Sequence, residues 1–280
     1  MMRLSFEDFE SLCEELGFTT YPRAIGNPRQ QFIYTPEEAY AGFNEWNGNH
    51  SCFISTQGYD NLGYDAHGKQ LPSVIQYGLT FFDFDHDTKP ENAYADAWNL
   101  SRYLEEHDIC HWVQYSGSKG YHLFIVHKPT RFKFNHQDGS ADSLRRIVNQ
   151  TQTELKILLS SNTLDVQTTG DPKRLCRFPF TRHVNRHGEV SLRHCMPLTK
   201  EMLSSGHDNI VAQSHRPRMT GDYLIGQKKL TLKELIETLS ISVKREDVEL
   251  RPVNRTELEI DVDTSLGQFI ASLEVRCPGV

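Results

Sequence analysis

The stretch from Tyr77 to Asp85, YGLTFFDFD, constrains the fold more than any other part of the chain. It reads as a strand of apolar and aromatic residues that ends in acids. Pro90 then stands at a helix N1 position, where its missing N–H costs nothing. Tyr94, Ala97, Trp98, Ser101 and Leu104 recur at helical spacing behind it, to about Glu106. Two further strands follow, His111–Tyr115 and Tyr121–His127, separated by the tight turn SGSKG, whose glycines permit backbone that other residues resist.

A helix over about Asp142–Leu159 carries Leu144, Ile147, Val148, Leu155, Leu158 and Leu159 on one face, and a short strand is expected at Leu164–Gln167. Strand, helix, hairpin, helix, strand is an order that predicts an α+β sheet with helices on one side, close to a ferredoxin-like or RNA-recognition-motif (RRM-like) arrangement. Ahead of it lies an N-terminal α/β portion. Ser5 and Asp8 start a helix over residues 4–16, residues 35–46 form a second, Ser51–Thr56 is a strand, and Gly58–Ser73 reads as a loop. Behind it, Arg174–Arg193 is expected to hold one more strand and a hairpin around Asn185–Gly188. Leu232, Leu235, Ile236 and Leu239 form a helical stripe after the cap Thr231. A boundary is expected in the polar stretch His207–Asp222, dividing the chain into a main domain, residues 1–205, and a small, largely helical accessory region, residues 206–280.

Composition narrows the class. With 38% hydrophobic and 24% charged residues and a mean hydropathy of −0.55, the 280-residue chain has the profile of a globular protein. No apolar run approaches the roughly 18 residues a membrane span needs. The N-terminus MMRLSFEDFESL is too acidic and broken for a signal peptide, so a cytoplasmic location without membrane partners is expected. The six cysteines are scattered and form no CxxC pair, which points to reduced thiols. The net charge of −7 hides a strong asymmetry: residues 1–118 carry −12, residues 119–194 carry +7 and residues 195–280 carry −2. A basic middle segment within an acidic protein suits contact with an anionic polymer.

Four constellations carry chemistry. Asp83 and Asp85 lie two apart on a strand, so both carboxylates project to one side at its end. Two such charges raise each other's cost of ionisation unless a cation stands between them, and hard oxygen ligands suit Mg²⁺ or Mn²⁺. Taken alone, the pair fits a solvated acidic turn as well, and Asp87 belongs to the outer rim. Ser116-Gly117-Ser118-Lys119-Gly120-Tyr121-His122 offers backbone N–H groups, hydroxyls and a lysine for an anion, without the spacing of a Walker loop. Asp165 is a third carboxylate on a short strand. Arg174, Arg177, Arg182 and His183 crowd one segment, where forked guanidinium donors suit phosphate oxygens. The interleaved Phe178 and Phe180 are either core or platforms beneath a base.

These residues resemble the catalytic core of the archaeo-eukaryotic primase superfamily. That superfamily includes the small subunit of replicative primases, the primase-polymerases of plasmids and viruses, and the polymerase domains of bacterial end-joining ligases. Its first motif, an apolar strand ending in DxD, is matched by Phe81-Phe82-Asp83-Phe84-Asp85, its hairpin motif by Ser116 to His122, its third acid by Leu164-Asp165, and its downstream arginine by Arg177-Phe178-Pro179. The resemblance covers roughly residues 50–195 and implies a DNA primase or primase-polymerase that condenses NTPs or dNTPs on a single-stranded DNA template. Asp83, Asp85 and Asp165 would hold two divalent ions, Mg²⁺ or Mn²⁺. Ser116, Ser118, Lys119, His122 and Arg177 would grip the triphosphate, with His122 as a donor to phosphate rather than a base. Arg174, Arg182 and His183 would contact phosphate or template. A helicase module or a second primase subunit is an implied partner. The Cys/His knuckle of several family members is missing, and His107, Cys110 and His111 read as structural, so no structural zinc is expected. A non-catalytic relative that binds nucleotide or single strand is the alternative.

Overall fold

The structure, a computed structural model, describes residues 3–26, 31–64, 70–133, 140–165, 171, 174–185, 187–239 and 259–260. The first half of the chain runs α1 (Phe6–Leu16), β1 (Arg23–Ile25), β2 (Gln31–Ile33), α2 (Pro36–Trp46), β3 (Phe53–Ser55), β4 (Gly58–Tyr64), β5 (Gln70–Asp85), α3 (Pro90–Glu106), β6 (His111–Tyr115) and β7 (Gly120–Lys133). The second half runs α4 (Ser140–Leu158), β8 (Leu175–Arg177), β9 (Arg182–Val184), β10 (Val190–His194), β11 (Met196–Leu198), α5 (Lys200–Ser204), α6 (His207–Ser214), α7 (Leu232–Thr238) and β12 (Glu259–Ile260).

The helix starts follow from their caps. Ser5 Oγ accepts from the Asp8 N–H at 3.1 Å, Thr35 Oγ1 from the Glu38 N–H at 3.2 Å, and Thr231 forms a reciprocal capping box with Glu234. α1 stops at Gly17, whose φ of +83° is the left-handed conformation a helix C-terminus favours.

The main sheet has the order β11-β6-β7-β5-β4, with β6, β7 and β5 antiparallel in sequence across it. β5 and β6 both run against β7 and are joined by α3, which makes a split β-α-β unit. On the far side of β5, Leu164 bridges Phe84 in antiparallel sense. β5, α3, β6, β7, α4 and the Thr163–Asp165 segment thus supply the α+β, ferredoxin-like order expected. The remainder of the strand expected to Gln167 lies outside the described residues.

A second sheet, β2-β1-β3-β8, packs on the first through aromatic side chains. Phe178 stacks on Phe9 with ring centroids 5.3 Å apart and lies 6.1 Å from Phe18, which in turn meets Trp112 edge-on. Phe178 and Phe180 are fully buried, so of the two roles open to them they take the core one. The segment Ile225–Leu230 is stitched to the main sheet: the His111 and Ile225 backbones exchange both bonds, and Leu230 O accepts from the Lys128 N–H.

Two expectations are corrected. Within the stretch Gly58–Ser73 expected to be a loop, Gly58–Tyr64 and Gln70–Ser73 are strand, because Gly58–Tyr64 pairs with Gln70–Gln76 at the sheet edge; the Gly, Asn and Asp content of Gly58–Tyr64 imitates a turn, while the pairing is supplied by the long partner strand. Leu158 is 57% exposed rather than on the buried face of α4, because Leu159, one helical turn on from the buried Leu155, takes the place against the core. Cys13, Cys52, Cys110, Cys176 and Cys195 are buried free thiols. Among the described residues no helix is long and apolar enough to cross a membrane.

Candidate active site

β5 is longer than its partner β4, so beyond Gln76 its outer edge needs other donors. Gln57 Nε2 donates to Leu79 O, Gln152 Nε2 to Phe81 O, and the Asp165 N–H to Asp83 O at 2.8 Å. Asp85 N–H completes the set by donating to Thr163 O at 2.9 Å. Residues opposite one another in an antiparallel pair share a face. On β7 the partner of Asp83 is His122, and on β6 the partner of His122 is Gln114. One lateral row therefore reads Gln114, His122, Asp83, Asp165, with Asp85 one step along the same face.

The row is in contact. His122 Nε2 lies 3.5 Å from Asp83 Oδ1, and Arg174 Nη2 lies 3.7 Å from Asp83 Oδ2. Lys119 Nζ stands 3.3 Å from Asp85 Oδ2 and 2.5 Å from Asp87 Oδ1, the latter at the solvent rim. Burial pushes the Asp83 carboxyl up to about 6; Arg174 and Lys119 oppose the shift and Asp165 adds to it. Asp85 is raised by burial and then by Asp83. Burial also drives His122 down to about 3, against the pull of Asp85, so the imidazole is neutral near pH 7.

The hairpin tip holds its shape from within. Ser116 N–H donates to Gly120 O at 3.0 Å and Ser116 Oγ accepts from the Gly120 N–H at 3.2 Å, which commits that hydroxyl to the turn. Ser118 O accepts from Tyr115 Oη at 2.7 Å and from Arg193 Nη1 at 3.5 Å. A methyl group on Gly120 would sit 1.9 Å from Asp85 Oδ1 and 2.4 Å from Phe84 O, so close approach of carboxylate and turn requires glycine. Gly120→Ala is expected to lose about 3 kcal/mol of stability, measured by urea unfolding; a loss under about 0.5 kcal/mol would contradict this packing.

Behind the turn lies buried positive charge. Arg177 is buried, with Nη1 3.5 Å from Ser51 Oγ and its guanidinium 4.8 Å from the Phe53 ring centroid; among the described residues no carboxylate pairs with it. Burial lowers its pKa. His183 is pushed down to about 4 by burial, then by Arg177 and Arg193, which places it beside those guanidiniums. Among the described residues the Nε atoms of Arg174 and Arg182 are buried without a hydrogen-bond partner, and Arg182 and His183, on β9, make no ion pair with the three acids. His122 and Arg174 thus both contact Asp83, Lys119 contacts Asp85, Asp165 adjoins Asp83 through the backbone, and His183 lies near Arg177 without an ion pair to the acids.

Among the described residues no three His, Cys, Asp or Glu side chains form a group that could hold a metal ion. The donor chemistry nevertheless suits a hard divalent cation: two neighbouring carboxylates resist ionisation without positive charge, and in this structure Lys119 and Arg174 provide it. In the His107–His111 segment, the ring nitrogens of His111 both have partners, Ser101 Oγ and Ile109 O, and His107 Nδ1 lies 2.8 Å from Tyr103 O.

Two residues of the site escape a sequence reading, Gln114 and Arg193. The only hint of Gln114 is a polar residue between the apolar positions of HWVQY, in phase with the inward-facing Trp112.

No protein-family model and no curated protein matches the chain. Among solved structures, it is similar to the polymerase domain of Mycobacterium tuberculosis ligase D in complex with DNA, at 13% identity and a TM-score of 0.38, over 78% of this chain and 70% of that one. A likeness at that level decides neither fold nor chemistry, which rest on the side chains described above.

Proposed function

We propose that the protein is a template-directed nucleotidyltransferase, a primase or primase-polymerase that condenses nucleoside triphosphates on single-stranded DNA with release of pyrophosphate. The observation that carries the reading is the row in which Asp83 lies between His122 and Asp165, next to the Asp85–Lys119 pair at the glycine turn. Acids that need cations stand there within reach of donors that need anions. Phosphoryl transfer calls for that combination, since its catalysis is mostly positioning and charge stabilisation.

Asp83, Asp85 and Asp165 are the residues that would hold two Mg²⁺ or Mn²⁺ ions, which when bound neutralise triphosphate charge and acidify the attacking hydroxyl. The chain's own groups do the rest. Lys119 offers its ammonium from the tip of the turn, and Ser118 lies next to it. The neutral His122 donates a hydrogen bond to a phosphate oxygen. Arg174 and Arg177 bring positive charge from the second sheet, and the surplus of +7 over residues 119–194 follows the template backbone.

The test incubates the chain with primed and unprimed single-stranded DNA, NTPs or dNTPs, and Mg²⁺ or Mn²⁺. Template-dependent, pyrophosphate-releasing synthesis is expected. Template binding without incorporation under either metal would overturn the reading in favour of a non-catalytic nucleotide- or strand-binding subunit.

A further inference from the structure

Gln114 is a fully buried amide at the inner end of the row that contains Asp83. Its Nε2 lies 2.8 Å from His122 Nδ1 and 3.2 Å from the carbonyl oxygen of Arg177, while its Oε1 has no hydrogen-bond partner. The orientation of an amide is decided by such neighbours. With nitrogen facing inward, both N–H groups find acceptors. The flipped amide would set two oxygens against each other at the Arg177 carbonyl and leave both N–H groups without those acceptors. The carbonyl therefore fixes the amide, and the amide fixes the imidazole: Nδ1 of His122 must accept, so the ring proton sits on Nε2.

We propose that Gln114 is a positioning residue that locks His122 in the Nε2–H tautomer, aiming that proton toward Asp83 and the glycine turn and denying the ring a free basic nitrogen there. Through the Arg177 carbonyl, the lock also ties the state of His122 to the docking of the second sheet on the first. Its catalytic meaning, that His122 is a hydrogen-bond donor to substrate phosphate and not a general base, rests on the function proposed above. The tautomer itself does not.

The test uses the full chain with ¹⁵N-labelled histidine and glutamine, in EDTA at pH 7.5. The His122 resonances are identified by their loss in His122→Gln. The wild-type protein is expected to show an unprotonated Nδ1 and a protonated Nε2, with a ¹⁵N–¹⁵N coupling between Nδ1 and the Gln114 amide across the hydrogen bond. Gln114→Glu, which presents an acceptor to Nδ1, is expected to move the proton there. Gln114→Leu is expected to yield a mixture of tautomers and to raise the nucleotide KM about tenfold while kcat changes less. A wild-type ring protonated at Nδ1, a missing coupling, or an unchanged Nε2–H tautomer in folded Gln114→Leu would each overturn the proposal. Where a variant fails to fold, the wild-type coupling still decides. The spectra need no nucleotide, so the expected tautomer in a protein that incorporates nothing would remove the proposed function and leave this inference standing.

Discussion

Replacing Asp83 and Asp85 together by asparagine is expected to abolish nucleotide incorporation, by about a thousandfold or more, and to leave a metal-free protein that is more stable than the wild type at neutral pH. Both effects have one cause. Asp83 is deeply buried, and its carboxyl titrates near 6, with Asp85 raised alongside it. A carboxyl whose folded pKa lies above its unfolded value binds its proton more tightly when folded. The fold then carries no penalty below the unfolded value of 3.8 and a growing one as pH rises toward 6. For Asp83 that penalty reaches about 2 to 3 kcal/mol at pH 7. Asparagine keeps the shape and removes the charge, so urea unfolding in EDTA at pH 7.5 should show a gain of about 2 kcal/mol over wild type. Incorporation measured on the same preparations should vanish. Retained synthesis would remove the two acids from the reaction, and lost stability would mean that the pairs with Arg174 and Lys119 outweigh the burial of charge.

Much of this arrangement is legible in the sequence, and the limit of legibility has a physical pattern. β6 runs His111–Tyr115 as expected, and α3 ends at Glu106, because apolar phase and turn chemistry act locally. The juxtaposition of Asp83 and His122 depends on strand register, which the hydrophobic phase and the short turn fix between them. Gly58–Tyr64 was opaque because an edge strand takes its order from its neighbour and its composition from solvent. Gln114 was opaque for a related reason: a lone polar residue in an apolar strand acquires meaning only through the Arg177 carbonyl, 63 residues away in sequence. Arg182 follows Arg177 closely in the chain, yet it sits on β9, which pairs with β10 outside the sheet that carries Arg177, a separation that spacing along the chain does not reveal.

Acidification from pH 7 to pH 5 is expected to destabilise the protein by about 4 kcal/mol, through histidines buried in their neutral form. His111, His122 and His127 are all buried, and burial holds them at about 4, 3 and 4 respectively. Their neutral state is built into the packing. His111 lies between Ser101 Oγ and Ile109 O, while His127 Nε2 is 2.6 Å from Thr80 Oγ1, which in turn lies 2.7 Å from Tyr77 Oη. A histidine with a depressed folded pKa contributes stability that is present above its unfolded value of 6.5 and is lost as pH falls toward the folded value. At pH 5 the unfolded chain has taken up nearly one proton per ring while the folded chain has not, a difference of about 2 kcal/mol for each of the three. Asp83 works in the opposite sense over the same window, since its folded form gains a proton below about 6, and it returns about 1 kcal/mol. The histidines win by number. Urea unfolding at pH 7 and pH 5 should show the loss, His127→Gln should shrink it by about 2 kcal/mol, and Asp83→Asn should enlarge it. A stability that is flat between those pH values would mean that the three rings are hydrated enough to take up protons in the folded state, and the unprotonated His122 Nδ1 that accepts from Gln114 would go with it.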